Sequence, residues 1–255
     1  MNPSVVVTDL TKYYGRHLAL KQASFTVAPG SIYGLIGPNG AGKTTSLSIM
    51  AGLVSPTSGS VSILGMDVEP NRPGLVAKVG FASPQLSFFD YLAGAELILT
   101  CGLMHGLKAH EAKRRMQDLL ALLDLEEAAG HYLHQYSYGM RQKLGLACAL
   151  IHAPEVLLLD EPFIGLDPTS IYRISRTLKQ MSAHGRTVVL TSHNLALVER
   201  LCGRVGILHE GTLRREIEPA ATAGGGPAQT GGESGLESAL WEVVGTPEFK
   251  ELSWI

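Results

Sequence analysis

One short stretch limits what this chain can fold into more than any other: GPNGAGKTT at positions 37 to 45. It follows the apolar β-type run SIYGLIG (31–37) and opens a helical pattern near Lys43. Gly37, Gly40 and Gly42 suit a turn whose successive backbone N–H groups point inward around a phosphate, an approach that side chains would obstruct. Pro38, Asn39 and Ala41 fill the rest of the turn, and the helix behind it adds the positive end of its dipole. At the spacing G-x-x-x-x-G-K-[ST], Lys43 reaches the β- and γ-phosphates, Thr44 offers its hydroxyl to Mg2+, and Thr45 follows in the first helical turn. Strand, glycine turn and helix in this order predict a nucleoside triphosphate site, but not what its energy drives.

The stretch VLLLDEP (156–162) supplies the complement. Four apolar residues in a row read as a strand buried on both faces. Asp160 at its carboxyl end is placed to hold Mg2+ through water. Glu161 follows at the same sheet edge, where its carboxylate can polarise the attacking water as a general base.

Further β-type runs are SVVV (4–7), ASFTV (23–27), SVSIL (60–64), TVVLTS (187–192), RVGIL (204–208) and TLRRE (212–216). VLLL and the VVL core of TVVLTS are unbroken apolar runs and each precedes a helical stretch, which predicts a mostly parallel central sheet. From about Leu86 to Gln135 the pattern is helical, with leucines at 119, 120, 122, 123 and 125 opposite Lys113, Arg114 and Arg115. Residues 219–235 are rich in glycine, carry Pro219 and Pro227, and read as a flexible linker before a short helix at LESALWEVV (236–244).

Bulk properties narrow the function. At 255 residues with 45% hydrophobic and 17% charged side chains, the chain can fill a large α/β core. Mean hydropathy of +0.14 raises the question of membrane spans. The apolar runs LILTCGLM (97–104) and LGLACALI (144–151) fall far below the ~20 residues a spanning helix needs. The opening MNPSVVVTDLTK lacks a signal-peptide pattern, so the expectation is a cytoplasmic protein. A net charge of −2 argues against nucleic acid as a partner. Cys101, Cys148 and Cys202 are too scattered for a disulfide framework or metal cluster, and read as buried, reduced thiols.

With these motifs in place, the chain resembles the nucleotide-binding subunit of ATP-binding cassette transporters over roughly residues 4 to 216. YYG (13–15) resembles the family's aromatic loop, which implies that Tyr14 stacks on adenine. SPQ (83–85) resembles the glutamine loop, placing Gln85 near Mg2+ and the attacking water. YSYGM (136–140) stands at the signature position, where the resemblance implies that Ser137 and Gly139 contact the ATP held by the other subunit. Tyr138 replaces the first of the usual glycine pair and Met140 the usual glutamine, but the atoms that meet phosphate are retained. GLDP (165–168) resembles the loop after the catalytic glutamate, with Asp167 reaching across a dimer, and TSHN (191–194) supplies His193 as the switch histidine.

The resemblance implies a P-loop α/β core with a mostly parallel sheet, an N-terminal antiparallel β subdomain and an inserted helical subdomain at about 86–150. The cassette would span 1–218, the linker 219–235, and a short helix and tail 236–255. ATP and Mg2+ are the implied cofactors, with Glu161, His193 and Gln85 catalytic. The implied partners are a second copy or a paralogous cassette and an integral-membrane permease, with the chain peripheral on the cytoplasmic face. YSYGMRQK and GLDP look like bacterial exporter subunits. The alternative is a soluble cassette ATPase outside transport; translation members usually carry two cassettes and repair members a long coiled coil, and neither is present. An unrelated P-loop kinase fits the signature and switch histidine poorly. Phe88, Phe89 and Tyr91 in FFDYL (88–92) are expected to line a groove for a permease helix.

Overall fold

The computed structural model of the protein describes residues 2–69, 72–84, 90–219 and 235–245. The chain begins with an antiparallel pair, β1 (Val5–Tyr14) and β2 (His17–Val27), then enters β3 (Ile32–Ile36) and α1 (Lys43–Met50). After β4 (Ser58–Ile63), β5 (Met66–Asp67) and α2 (Pro73–Val76) comes β6 (Val79–Ala82). The helical block holds α3 (Gly94–Met104), α4 (Ala109–Leu122), a 3-10 turn at Leu133–Gln135 and α5 (Tyr138–Leu150). The chain then runs β7 (Val156–Leu159), α6 (Pro168–Ala183), β8 (Thr187–Thr191), α7 (Leu195–Leu201), β9 (Arg204–His209), β10 (Thr212–Ile217) and α8 (Gly235–Val244).

Two sheets result. One is antiparallel, in the order β2-β1-β4-β5; the other has six strands, β10-β9-β3-β8-β7-β6, parallel except for β10. Every residue of β3, β7 and β8 is buried, as continuous apolar runs require. Alternation of side chains divides the core between the faces of this sheet. Tyr33, Leu35, Val156, Leu158 and Val189 face α1 and the antiparallel sheet. Ile32, Ile36, Leu157, Leu159, Val188 and Leu190 face the helical side, with Leu144 and Ala147 of α5, Ile174 of α6 and Val198 of α7. The six-stranded sheet is therefore the middle of three layers, and the carboxyl ends of β3, β7 and β8 open at one edge.

Several elements differ from the sequence reading. The first two strands extend far beyond 4–7 and 23–27, because shifts of register between Val7 and Tyr13, with Asp9 and Gln22 at positive φ, break the two-residue period. β6, VGFA, is too short and glycine-containing to register as a strand, yet it edges the sheet beside β7. Arg115 is not merely solvated. Its guanidinium bonds to Glu111 at 2.7 and 3.0 Å and to the carbonyl of Ile151 at 2.9 Å, fastening α4 to the end of α5. Only Cys202 is fully buried, while Cys101 and Cys148 are partly exposed; all three are free thiols. α8 is not a free appendage, since Leu236 and Ala239 join the core beside α7, β9 and β10. Most of the expected linker, and Gln85, Phe88 and Phe89, lie outside the described residues. Among the described residues, no helix is long and apolar enough to cross a membrane.

Candidate active site

The turn after β3 closes against its surroundings so tightly that glycine is obligatory at two places. Gly37 has φ +150°, and a Cβ there would lie 2.0 Å from the carbonyl oxygen of Leu208; Gly42, at φ +102°, would meet that of Ala19 at 2.5 Å. Behind this turn α1 starts at Lys43, and the Lys43 Nζ donates to the carbonyls of Gly37 at 2.7 Å and Pro38 at 3.0 Å. Burial pushes the Lys43 pKa down, while the carboxylates of Glu161 and Asp160 pull it back up. A cleft of about 330 Å³ lies over the turn, walled by Tyr14, His17, Asn39, Lys43, Thr45 and Glu161 among others. That volume is within the range of small-ligand sites. Tyr14 stands at the end of the β1–β2 hairpin, half-exposed, with Lys12 Nζ 5.0 Å from its ring centre.

From this cleft a chain of contacts runs across three strand ends. Thr44 Oγ1 donates to Asp160, 3.1 and 3.0 Å from its two carboxylate oxygens. Thr191, at the end of β8, donates its hydroxyl to Asp160 Oδ1 at 2.7 Å and accepts the Glu161 N–H at 2.9 Å. Glu161 Oε2 in turn meets His193 Nδ1 at 3.0 Å. Glu161 has φ +46°, the left-handed region that costs a residue with a Cβ ~1–2 kcal/mol. Strain of this kind collects at working sites and is sustained by surrounding hydrogen bonds. Asp160 is buried, and hydrogen bonds to ionised groups are worth ~1.5–3 kcal/mol, so the two threonine hydroxyls fix its carboxylate firmly. The donor set is oxygen throughout, a hydroxyl and one carboxylate, and among the described residues no cluster of three or more acidic, histidine or cysteine side chains could hold a metal unaided. That suits Mg2+, which keeps waters and shares its ligands with substrate phosphates.

The signature residues stand elsewhere. Ser137 caps α5, its Oγ accepting the Met140 N–H at 3.3 Å, and it is exposed and outside the cleft wall. The departure at Tyr138 has a local explanation. Its ring rests against Gly165, where a Cβ would come within 2.5 Å of the Tyr138 Cδ1. A Cβ on Gly139, by contrast, would lie 2.7 Å from the Gly165 carbonyl oxygen. So a large side chain fits at 138 because position 165 has none, and none fits at 139. Asp167 caps α6, accepting from the Ser170 N–H at 2.9 Å and the Ser170 hydroxyl at 2.5 Å, with Lys143 Nζ 3.8 Å away. Those Ser170 bonds hold its carboxyl down, to about 2.

The fold thus brings Thr44, Asp160, Glu161 and His193 together beside Lys43, sets Tyr14 at the cleft rim, and keeps Ser137, Gly139 and Asp167 apart from it. Sequence reasoning missed Thr191, Gln142, whose amide donates to the Glu161 carbonyl at 2.8 Å, and His17 in the cleft wall. Thr191 and Gln142 sit inside motifs singled out for neighbouring residues, and nothing in residue type alone marks a hydroxyl or amide as bonded to Glu161.

The chain matches the family model described as ABC transporter over residues 20–164. It is 36% identical over 205 residues to the linearmycin resistance ATP-binding protein of Bacillus subtilis strain 168, covering 80% of this chain and 66% of that protein. It is 35% identical over 218 residues to the bacitracin transport ATP-binding protein of Bacillus licheniformis, covering 85% and 70%. To the Nod factor export ATP-binding protein I of Sinorhizobium fredii it is 37% identical over 219 residues, covering 86% and 64%. The chain spans about two thirds of the length of these relatives. Among solved structures, a dimeric ATP-binding cassette in a post-hydrolysis state with ADP and Pi matches with a TM-score of 0.77 at 28% identity, over 84% of this chain and 98% of that one. The ATP-binding subunit of an ABC transporter matches with a TM-score of 0.78 at 30% identity, over 84% and 89%.

Proposed function

The chain belongs to the ATP-binding cassette transporter family, and we propose that it is the ATP-hydrolysing subunit of a membrane exporter, working as half of an ATP-clamped dimer on the cytoplasmic face. The reading is carried by one observation: the unbroken series Thr44–Asp160–Thr191–Glu161–His193 at the mouth of the phosphate turn. Relatives named for bacitracin transport, Nod factor export and linearmycin resistance support export as the purpose.

In this reading the adenine ring stacks on Tyr14 and the phosphates lie along residues 37–45. Lys43 exchanges its carbonyl partners for phosphate oxygens. Mg2+, held by Thr44 and by Asp160 through water, would neutralise charge on the β- and γ-phosphates; Gln85, also expected to serve it, lies outside the described residues. Glu161 accepts a proton from the attacking water, and His193 hydrogen-bonds the γ-phosphate region. Ser137, exposed, and Gly139, partly exposed, both lie away from their own cleft and serve the ATP of the facing copy, with the α5 dipole behind them. Asp167 lies at the same seam. We take residues 1–218 as the cassette, with the helical subdomain at about 86–150 within it.

A clamp with no membrane-spanning helix among its described residues needs something to move. Tyr91 is 86% exposed and Tyr132 52%, and both rings lie against His134, with centroids 6.2 and 5.8 Å away. Aromatic rings left open to water in a cluster suit a protein contact. This cluster would receive a cytoplasmic helix of the permease; Phe88 and Phe89, expected at the same groove, lie outside the described residues.

The test is co-expression with a candidate permease from the same genome, followed by detergent pull-down and an ATPase assay. The expected result is a complex whose turnover exceeds that of the free chain and which is lost in Tyr91→Asp/Tyr132→Asp. Full ATP turnover with no ATP-dependent dimer and no membrane partner would favour the soluble, non-transport alternative.

A further inference from the structure

We infer that Gln142 is a positioning residue for hydrolysis: it holds the main chain of Glu161 and so ties the base of one composite site to the helix terminus that serves the other. The inference rests on the catalytic reading of Glu161 given above.

Gln142 is a polar side chain only 9% exposed, facing inward from the second turn of α5. Its amide lies 2.8 Å from the carbonyl oxygen of Glu161. A carbonyl can only accept, so the group turned toward it is the NH2, and the orientation of the amide is set. Glu161 is the residue at φ +46°, and its own N–H is held by Thr191 Oγ1 at 2.9 Å. The backbone of Glu161 is thus gripped at both ends, the N–H from β8 and the C=O from α5. A residue with a Cβ stays in the left-handed region only where its surroundings over-determine it. Without Gln142 the C=O keeps only the longer bond from the Ile164 N–H at 3.4 Å, so release of either end would let φ relax and swing the carboxylate away from His193 Nδ1 and the cleft. Base catalysis depends on that placement to within a fraction of an ångström.

Two further contacts show that the grip belongs to a whole helix face. Tyr138, one turn before Gln142, lays its ring on Gly165, and Lys143 reaches Asp167 at 3.8 Å. The first turns of α5 therefore lie along the segment 161–167. Ser137, the cap of the same helix, precedes this face directly. When Ser137 engages the phosphate held by the facing copy, movement of α5 reaches the Glu161 carbonyl through Gln142. Each chain would then orient its own base according to whether its terminus has found ATP across the seam.

The experiment uses the full chain with three variants. Gln142→Leu keeps the volume and removes the donor; Glu161→Gln removes the base; the third carries both. For Gln142→Leu the expectation is a kcat lowered about tenfold or more with KM for ATP within about twofold, since the lost contact acts on the chemical step. In the Glu161→Gln background, adding Gln142→Leu should change neither the accumulation of ATP-bound dimer nor the residual turnover, because the group it positions is gone. Gln142→Glu, which sets a carboxylate against the carbonyl, should lower kcat further than Gln142→Leu. A wild-type kcat in Gln142→Leu overturns the inference. So does loss of the dimer in the double variant, which would make Gln142 a support for the helix and not for the base. Wild-type turnover in Glu161→Gln would instead overturn the catalytic reading itself, and the inference with it.

Discussion

His193 Nδ1 lies 3.0 Å from Glu161 Oε2, joining the segments that follow β8 and β7 at the mouth of the phosphate turn. The two side chains differ sharply in exposure, 63% for the imidazole and 17% for the carboxylate. A sheltered acid is thus reached through a partner that faces the solvent. If Glu161 is the base, Glu161→Gln should leave ATP affinity near wild type, lower turnover by ~10²–10⁴-fold and trap a closed dimer. His193→Ala keeps the base and removes only its partner, so its loss should be the smaller. Single-turnover phosphate release measures both, and an unimpaired Glu161→Gln excludes the assignment.

Tyr138 and Gly165 form a matched pair, and their matching is testable. Gly165→Ala places a Cβ 2.5 Å from the Tyr138 Cδ1 at a φ of +72°. Steric overlap and left-handed strain should together cost ~2–4 kcal/mol of stability and slow turnover. Tyr138→Gly alone should leave ATPase activity within about twofold of wild type if, as proposed, Ser137 and Gly139 carry the phosphate contacts. Combining the two should recover the steric share and leave the strain. Ser137→Arg should abolish activity by forcing bulk into the seam. A many-fold gain in Tyr138→Gly would mean that the native signature is a weakened one.

The parallel sheet was legible in the sequence because VLLL and the VVL within TVVLTS are unbroken apolar runs, as strands covered on both faces require. The phosphate turn was legible because its glycines answer to steric limits, here the carbonyls of Leu208 and Ala19. The first hairpin was not, because bulges at Asp9 and Gln22 destroy the alternation that marks a strand. Within the site, Lys43, Thr44, Asp160 and Glu161 follow from local spacing. Thr191 and Gln142 could not be found this way, because their partners lie 31 and 19 residues distant and meet them only in the folded sheet edge.

Thr191 is the second anchor of Glu161 and also grips Asp160. Thr191→Val preserves shape but leaves the buried Asp160 Oδ1 and the Glu161 N–H short of a partner. Each such loss is worth ~1–3 kcal/mol, so the variant should unfold at clearly lower denaturant. Turnover should fall more than ATP affinity, because both carboxylates proposed to serve hydrolysis are loosened while the phosphate turn is untouched. Thr191→Ser, which keeps the hydroxyl, should restore most of both. A Thr191→Val chain with native turnover would show that Asp160 and Glu161 are held well enough by other contacts.

His152 and His105 stack face to face with centroids 3.7 Å apart, between the ends of α5 and α3. His152 Nε2 lies 3.2 Å from the Val79 carbonyl, so that nitrogen carries the hydrogen, and the buried Nδ1 has no partner. Burial first, and then the neighbouring His105, press the His152 pKa down from 6.5 to about 4, while burial also lowers that of His105. The unfolded chain therefore binds a proton between these values that the folded chain refuses, and stability must fall as pH drops from about 6.5 toward 4. After discounting for partial exposure, the loss from His152 by pH 5 should be on the order of 1 kcal/mol. Urea unfolding at pH 7.5 and pH 5.0 measures it. His152→Gln, which keeps a donor for Val79 but cannot titrate, should flatten the difference by about that amount. An equal pH slope in wild type and variant would place the acid sensitivity elsewhere in the chain.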